Sequence, residues 1–502
     1  MGWGISLALI VCFLPSPKPG FPVHLDGGFV YSPATADLND DGSDDIVAVA
    51  GGIWAVDGHG VVMDGWPTMR GYIFNSRAAV GNAWNGEHQE IAAGRAYWLD
   101  DSIRTYLFNT WGALLPPWPV TIGWVTIRTR LGVLSLIDMD GDGLDELIAP
   151  SSFGPHVIKG SGEIVLPHNG NPGLLGGDIL TADVEGDPAL ELIVLTDPIR
   201  IVDLNGDVLR EFSSGLDTIF GGILVDLDGD VKLEILLMGE LEDRLTLNAL
   251  AFDGTTVPGW PLRTGISSIF YVPCGLSAGD LDGDGLPEVI LTATDIMTGI
   301  VYVARADGTP CNHGEPIFRS SGFPGEALAV NLHGGKKNSV VVQFCANNSK
   351  VKVYAFDING KIEKGWPIVL AQCPCNNRLL TPAVADIDGD KRSDLVALSP
   401  NGILYAYEIS EFSPQGDWLQ ENHDARNSFT LSPILGRRKP SAVRERPRVH
   451  LSASDSVSTL KGKWSVFDAA GRRMTVSIDL LPPGLYFATE KGRPALRILK
   501  VR

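Results

Sequence analysis

The sequence predicts an all-β chain: an eight-bladed β-propeller, with seven blades as the alternative count, followed by a small C-terminal β-sandwich. Three observations predict it. An acidic nine-residue pattern, D-x-D-x-D-G-x-x-E/D, recurs about every fifty residues, the period of a propeller blade. Each copy runs directly into a short β-rich run. Asp-Gly or Asn-Gly turns followed by Gly-Trp-Pro recur in the same phase. The 502 residues include 58 Gly and 33 Pro with no collagen-like period, and 44% are hydrophobic. That composition suits many short strands, many turns and a sizeable core.

The first element is an apolar run from Trp3 to Leu14. It is too short to span a membrane and fits the core of an export signal, so residues 1–18 read as a signal peptide. The fit is imperfect, because no Lys or Arg precedes the run and no small-x-small site is evident near Pro15 to Pro19. No other stretch is long enough for a transmembrane helix. Gly20-Phe21-Pro22 sits in the phase of the later Gly-Trp-Pro exits. The propeller, assigned to 19–435, therefore begins with the final strand of a unit, as suits a ring that an N-terminal strand closes.

The acidic copies follow in order. They are Asp37, Asn39, Asp41, Asp45; Asp138, Asp140, Asp142, Glu146; and Asp183, Glu185, Asp187, Glu191. Then come Asp226, Asp228, Asp230, Glu234; Asp280, Asp282, Asp284, Glu288; and Asp386, Asp388, Asp390, Asp394. Two wider gaps hold decayed copies at 82–90 and 331–339, which keep the following strand and lose most of the acids. Units thus start at 37, 82, 138, 183, 226, 280, 331 and 386. The exits Gly65-Trp66-Pro67, Trp118-Pro119, Gly259-Trp260-Pro261 and Gly365-Trp366-Pro367 keep step with them. Turns such as Asp57-Gly58, Asp253-Gly254 and Asn359-Gly360 are hairpin signals.

Carboxylates at positions 1, 3, 5 and 9 of one loop cannot all ionise side by side without a counter-cation. Hard Ca²⁺ takes about 6–8 oxygen ligands, and these side chains plus a carbonyl at position 7 would supply them. The loop is not the helix-loop-helix calcium hand, whose last acid falls at position 12 before a helix. The sequence therefore predicts several structural Ca²⁺ sites, with 138–146 and 280–288 the most complete. Acidic turns without metal are the alternative, made less credible by six copies in phase with strands.

These repeats resemble the FG-GAP/VCBS repeats of integrin-type and related bacterial propellers, over roughly residues 20 to 430. The resemblance implies structural calcium at the acidic loops. The stretch from Trp418 to Asn427 looks like the closing strand common in such proteins.

Net charge is −20, unevenly spread: residues 436–502 carry 15 Lys/Arg against 5 Asp/Glu, so the rest stands at −30. So acidic a body repels nucleic acid and anionic lipid, which excludes those partners. Residues 436–448 are basic and Pro-containing, a linker. Residues 449–502 carry Asp468, Gly471-Arg472, Pro483-Gly484-Leu485-Tyr486-Phe487 and a basic last strand. That order resembles the type A C-terminal sorting domain of the type IX secretion system. It implies the secretion machinery as partner, location outside or on the outer surface of a Gram-negative-type bacterium, and a tail that is often removed.

Cys274, Cys311, Cys345, Cys373 and Cys375 suggest one or two disulfides in late units. No H-E-x-x-H, G-x-S-x-G or phosphate-binding loop occurs, and the nine His are scattered. The reading is a non-enzymatic binding or adhesion module for an extracellular glycan or protein. The alternatives are a lyase-like polysaccharide-active enzyme and a structural surface-layer component. The aromatics between Tyr97 and Trp124, among them Trp111, are the one local hint of glycan binding.

Overall fold

In the computed structural model the described residues are 14–431, apart from 87, 98–101, 124–130, 152–153, 167–177, 188, 296, 347–349 and 373–378, together with strands of the C-terminal unit. The export-signal run, Trp98, Trp124, Pro188, Cys373, Cys375, the basic linker and the turns of the tail module lie outside them. The chain divides into two units, Met1–Ile434 and Leu435–Arg502. In the second, the strands Ser465–Asp468, Arg473–Met474, Gly484–Thr489 and Leu496–Lys500 form one antiparallel sheet.

The first unit is an eight-bladed propeller, and its blades fall at the eight sequence units. Blade 1 is Ala34–Ala36, Asp45–Val49 and Ile53–Val56, with Thr68 bridging Ile53 where a fourth strand would lie. Blades 2 to 7 are each built on a four-stranded antiparallel meander, to which one further strand adds in blade 5 and two in blade 7; their first strands are Ala79–Gly81, Ser135–Ile137, Ile179–Ala182, Thr218–Val225, Val272–Gly279 and Leu328–Val330. Blade 8 comprises Ala383–Ala385, Ser393–Leu398 and Ile403–Ser410. Its outer edge is completed by the N-terminal strands Ser16–Pro17 and Val23–His24, both antiparallel to Ile403–Ser410. The expected N-terminal closure is thus present.

Strands such as Asp45–Val49, Glu288–Thr294 and Ser339–Cys345 are buried along their whole length. A sheet sandwiched between two neighbours has no wet face, so its strands read as continuous apolar runs rather than alternating ones. The buried clusters confirm the stacking: one joins blades 8 and 1, another blades 1 and 2, and the largest runs unbroken from blade 5 to blade 8.

The Gly-Trp-Pro exits are inter-blade latches. The indole N–H of Trp66 donates to the Thr110 carbonyl (2.8 Å), that of Trp118 to Gly160 (2.8 Å) and that of Trp260 to Ala306 (3.1 Å), each across to the hairpin of the next blade. The preceding glycine is required by space as well as by φ. A Cβ on Gly65 (φ +88°) would lie 2.0 Å from the Trp111 carbonyl oxygen, and one on Gly259 would lie 2.0 Å from that of Asp307.

Residues 418–427 do not form a closing strand of the last blade. The segment 415–431 instead runs along the inner strands of the ring. Gly416–Trp418 pairs with Leu328–Val330, and Thr430–Leu431 lies parallel to Thr218–Val225. Between them the segment accepts hydrogen bonds from inner-strand N–H groups: Val384 to Leu419 O, Thr35 to Gln420 Oε1, Val80 to Ala425 O and Leu136 to Arg426 O, at 2.8–3.1 Å. Asp417 Oδ2 accepts from Asp280 N at 2.7 Å. Seven blades are therefore touched. The reason is physical: the innermost strand of a blade has a free edge whose N–H groups need acceptors, and this segment supplies them. Buried Arg77 is held inside the arc, donating to Gln420 Oε1 (2.8 Å), Asn427 Oδ1 (2.7 Å) and the Glu421 carbonyl.

Cys345 is in a disulfide, while Cys274 and Cys311 are free, their thiols pushed up to about 12 and about 11 by burial.

Candidate metal centre

Each acidic loop joins the inner strand of a blade to the next strand, and its fold is dictated by short-range hydrogen bonding. In the third blade Asp138 accepts from the N–H groups of Gly141 (2.8 Å) and Gly143 (3.0 Å), Asp140 from Asp142 (3.1 Å) and Asp142 from Leu144 (2.8 Å). The ninth-position acid closes the loop from the strand side: Glu146 Oε2 accepts from Met139 N at 2.9 Å. The same bond recurs at Glu191, Glu234 and Glu288 (2.8 Å each), and at Asp45 (3.2 Å) and Asp394 (3.3 Å). It survives in the decayed second loop, where Glu90 accepts from Ala83 N at 2.8 Å. The ninth acid thus builds the turn, and only its second oxygen is free for a ligand.

Four loops gather three carboxylates so that one oxygen of each lies within 4.8 Å of the others. They are Asp138, Asp140 and Glu146; Asp226, Asp228 and Asp230; Asp280, Asp282 and Glu288; and Asp386, Asp388 and Asp394. Asp142, Glu234, Asp284 and Asp390 stand outside their trios. Among the described residues, Asp37, Asp41 and Asp45 do not converge in this way, nor do Asp183, Glu185, Asp187 and Glu191. In the first loop the third position is Asn39, whose Oδ1 accepts from Asp41 N at 2.9 Å.

The electrostatics of the loops that hold the trios call for positive charge. Burial first, then the neighbouring aspartates, push the Glu146, Glu234 and Glu288 carboxyls up to about 7. Burial does the same to Asp394, also about 7 despite its ion pair with Lys18. Without a cation these loops take up protons near neutrality. In the eighth loop Asp386 Oδ1 and Asp388 Oδ1 are buried without a hydrogen-bond partner, the spare acceptor capacity expected where a cation belongs. An all-oxygen donor set of carboxylates and backbone carbonyls fits Ca²⁺ better than softer ions.

The trios have a second property that the motif does not reveal: each has a basic side chain of this chain beside it. Lys159 Nζ lies 2.7 Å from Asp140, Lys232 Nζ 3.0 Å from Asp230, and Arg305 2.6 Å from Asp282 and 3.7 Å from Glu288. Those three heads are well exposed. Lys18 differs. Its ammonium is 5% exposed, 2.6 Å from Asp388 and 3.0 Å from Asp394. Burial works against its charge, but the bonds to Asp388 and Asp394 outweigh that and its pKa is raised.

Position 8 is the feature that sequence reasoning missed. In three loops its backbone N–H ties the loop to the preceding one: Asp44 N to Asp386 O (2.9 Å), Asp145 N to Asn82 O (2.6 Å) and Asn338 N to Asp280 O (2.9 Å). The Asp145 carboxylate also accepts from Asn82 N at 2.6 Å. Asp44 and Asp145 are acidic where the other acidic copies carry Leu, Pro or Ser, and that departure was the available signal.

No family model and no curated protein matches the chain. Solved structures do. The exotype rhamnogalacturonan lyase YesX superposes with a TM-score of 0.52 at 14% identity, over 83% of this chain and 84% of that one. The BP39L lectin from Burkholderia pseudomallei gives 0.45 at 14%, over 68% and 99%. The Dos1 propeller gives 0.42 at 11%, over 80% and 97%. At 14% identity the likeness to YesX is one of fold alone.

Proposed function

We propose that this chain is a calcium-stabilised propeller that acts outside the cell, or on its surface, as a non-enzymatic binding module for a glycan or a protein. The observation that carries the calcium assignment is the convergence of three carboxylate oxygens in each of four loops. Asp138, Asp140 and Glu146, and Asp280, Asp282 and Glu288, would hold the ion with carbonyls of their own loops. The ion would neutralise buried carboxylates and stiffen the turn between the first two strands of the blade. Export rests on the apolar run Trp3 to Leu14, upstream of the propeller strand Ser16–Pro17, and on the resemblance of 449–502 to a sorting domain, through which the type IX machinery would be the partner. The acidic body makes nucleic acid and anionic lipid poor partners. Among the described residues no helix is long and apolar enough to cross a membrane. The lyase reading has likeness of fold alone behind it, and fold does not carry activity.

The test is thermal unfolding of the full chain with millimolar calcium and with chelator, alongside bound-metal analysis. At a hundred times the dissociation constant each site adds about 2.7 kcal/mol, so several sites shift the midpoint by many degrees. An unchanged midpoint with no bound metal sinks the calcium assignment.

A further inference from the structure

The eight blades share one hairpin after their third strand, closed by an N–H from a glycine to the carbonyl three residues earlier: Gly60 to Asp57, Gly112 to Asn109, Gly162 to Lys159, and so on to Gly402 to Ser399. The residue before that glycine sits at the tip. In seven blades it is polar: His59, Ser161, Asn205, Asp253, Asp307, Asn359 or Asn401. In blade 2 it is Trp111, 58% exposed. The turn does not need the indole, since Asn109 Oδ1 already takes the N–H groups of Trp111 (3.1 Å) and Ala113 (2.9 Å). Nor does the core, since the inter-blade latch here is made by Trp66 to the Thr110 carbonyl. An aromatic ring that the fold does not use, presented on a fixed turn, is a binding surface.

Its surroundings define the ligand. Trp111 lines a cleft of about 260 Å³ between blades 1 and 2, together with His88, Asn39, Asp64, Thr110 and Met63. The His88 ring stands perpendicular to the indole, 5.3 Å between centroids, and its Nδ1 lies 3.1 Å from Asp40 Oδ2. His88 comes from the loop 82–90, which has lost the acids of positions 1, 3 and 5 and keeps Glu90 at position 9. The exposed ring thus sits beside a loop that gathers no carboxylate trio. An indole face bordered by amide, imidazole and carboxylate groups matches a pyranose, which offers an apolar C–H face and a rim of hydroxyls. Among the described residues no Lys or Arg lines the cleft, while Asp64 lines it and Asp40 adjoins it, so uronates are repelled.

We infer that this cleft is a binding subsite for neutral glycan chains, with Trp111 as the stacking platform and His88, Asn39 and Asp64 as hydroxyl partners. The inference rests on the binding-module reading and names the ligand class for it. The test uses the full chain in calcium, titrated with cello-, manno- and galactohexaose and with polygalacturonate, read by tryptophan fluorescence and calorimetry. The expected result is saturable binding of at least one neutral hexaose. Trp111→Ala weakens it at least tenfold without moving the melting temperature, and Trp111→Tyr restores most of it. Equal binding by Trp111→Ala places the glycan elsewhere and overturns the cleft while leaving the module reading intact. Binding of polygalacturonate alone, or of none of the four, overturns the neutral-glycan assignment, and the calcium dependence of melting reports separately on the scaffold.

Discussion

The sixth and eighth loops carry almost the same motif and neutralise it in different ways. In the sixth, Arg305 reaches Asp282 from the next hairpin, and its side chain is 45% exposed. In the eighth, Lys18 arrives from the opposite end of the chain and is all but sealed between Asp388 and Asp394. An exposed guanidinium can swing away when a divalent ion enters, whereas a sealed ammonium occupies the ion's place and also fastens the N-terminal strand to blade 8. One local motif therefore yields an exchangeable counter-charge in one blade and a built-in one in another. The difference lies outside the motif.

The largest expected effect comes from breaking the sealed pair. Lys18→Met leaves buried Asp394 and its neighbours uncompensated, costing about 3–5 kcal/mol in the absence of calcium, while Arg305→Met costs under about 1 kcal/mol. Calcium should restore Lys18→Met and raise the count of bound ions by one, with Arg305→Met unchanged in count. Equal stability losses in the two variants, or no extra ion in Lys18→Met, would erase the distinction between the loops.

A third way to neutralise a buried carboxylate is a proton, and Glu326 sharpens the comparison. Burial and nearby Glu421 push it up to about 8, although Trp418 Nε1–H (2.6 Å) and Asn422 N–H (2.9 Å) donate to its Oε1. The folded state thus keeps a proton that the unfolded chain has lost above its ordinary carboxyl pKa of about 4.3. Stability from this group is full below that value and is lost as pH rises toward 8. Glu326→Gln keeps the acceptor and should flatten the fall in melting temperature between pH 5 and 8, measured in saturating calcium so that the loop carboxylates are silent. An unaltered slope would remove Glu326 from the account.

The smallest effect concerns the loop backbone. Position 6 has φ near +92° at Gly42, Gly143 and +95° at Gly285, and Val231 is forced to +76° at the same place. A β-branched residue in that region is strained. Val231→Gly should stabilise the protein by about 1 kcal/mol, read from denaturant midpoints. No gain would mean that the fifth loop relaxes around the valine.

The ring was legible because its signals are local and repeated. Period, turn chemistry and exits such as Trp66 and Trp260 each specify structure within fifty residues or so. The acidic loops were legible for the same reason, down to the ninth-position acid that closes each turn. What escaped was long-range. Lys18 reads as the end of an export leader, and nothing near it announces Asp388 and Asp394. Residues 418–427 read as a closing strand by their resemblance to such proteins, yet Gln420 and Asn427 serve as clamps on strands hundreds of residues away. Trp111 was noticed only as one aromatic among several. Its meaning appears once the eight hairpins are superposed.

An array of repeats held only by adjacent contacts melts in pieces, since each unit answers to two neighbours. The arc of residues 415–431 changes that arithmetic here. By bonding to seven of the eight blades it couples units that never touch, as a hub couples spokes. A blade bonded to the hub must release it on opening, and with it the six others that the hub holds. The price of local fraying becomes that of the whole wheel.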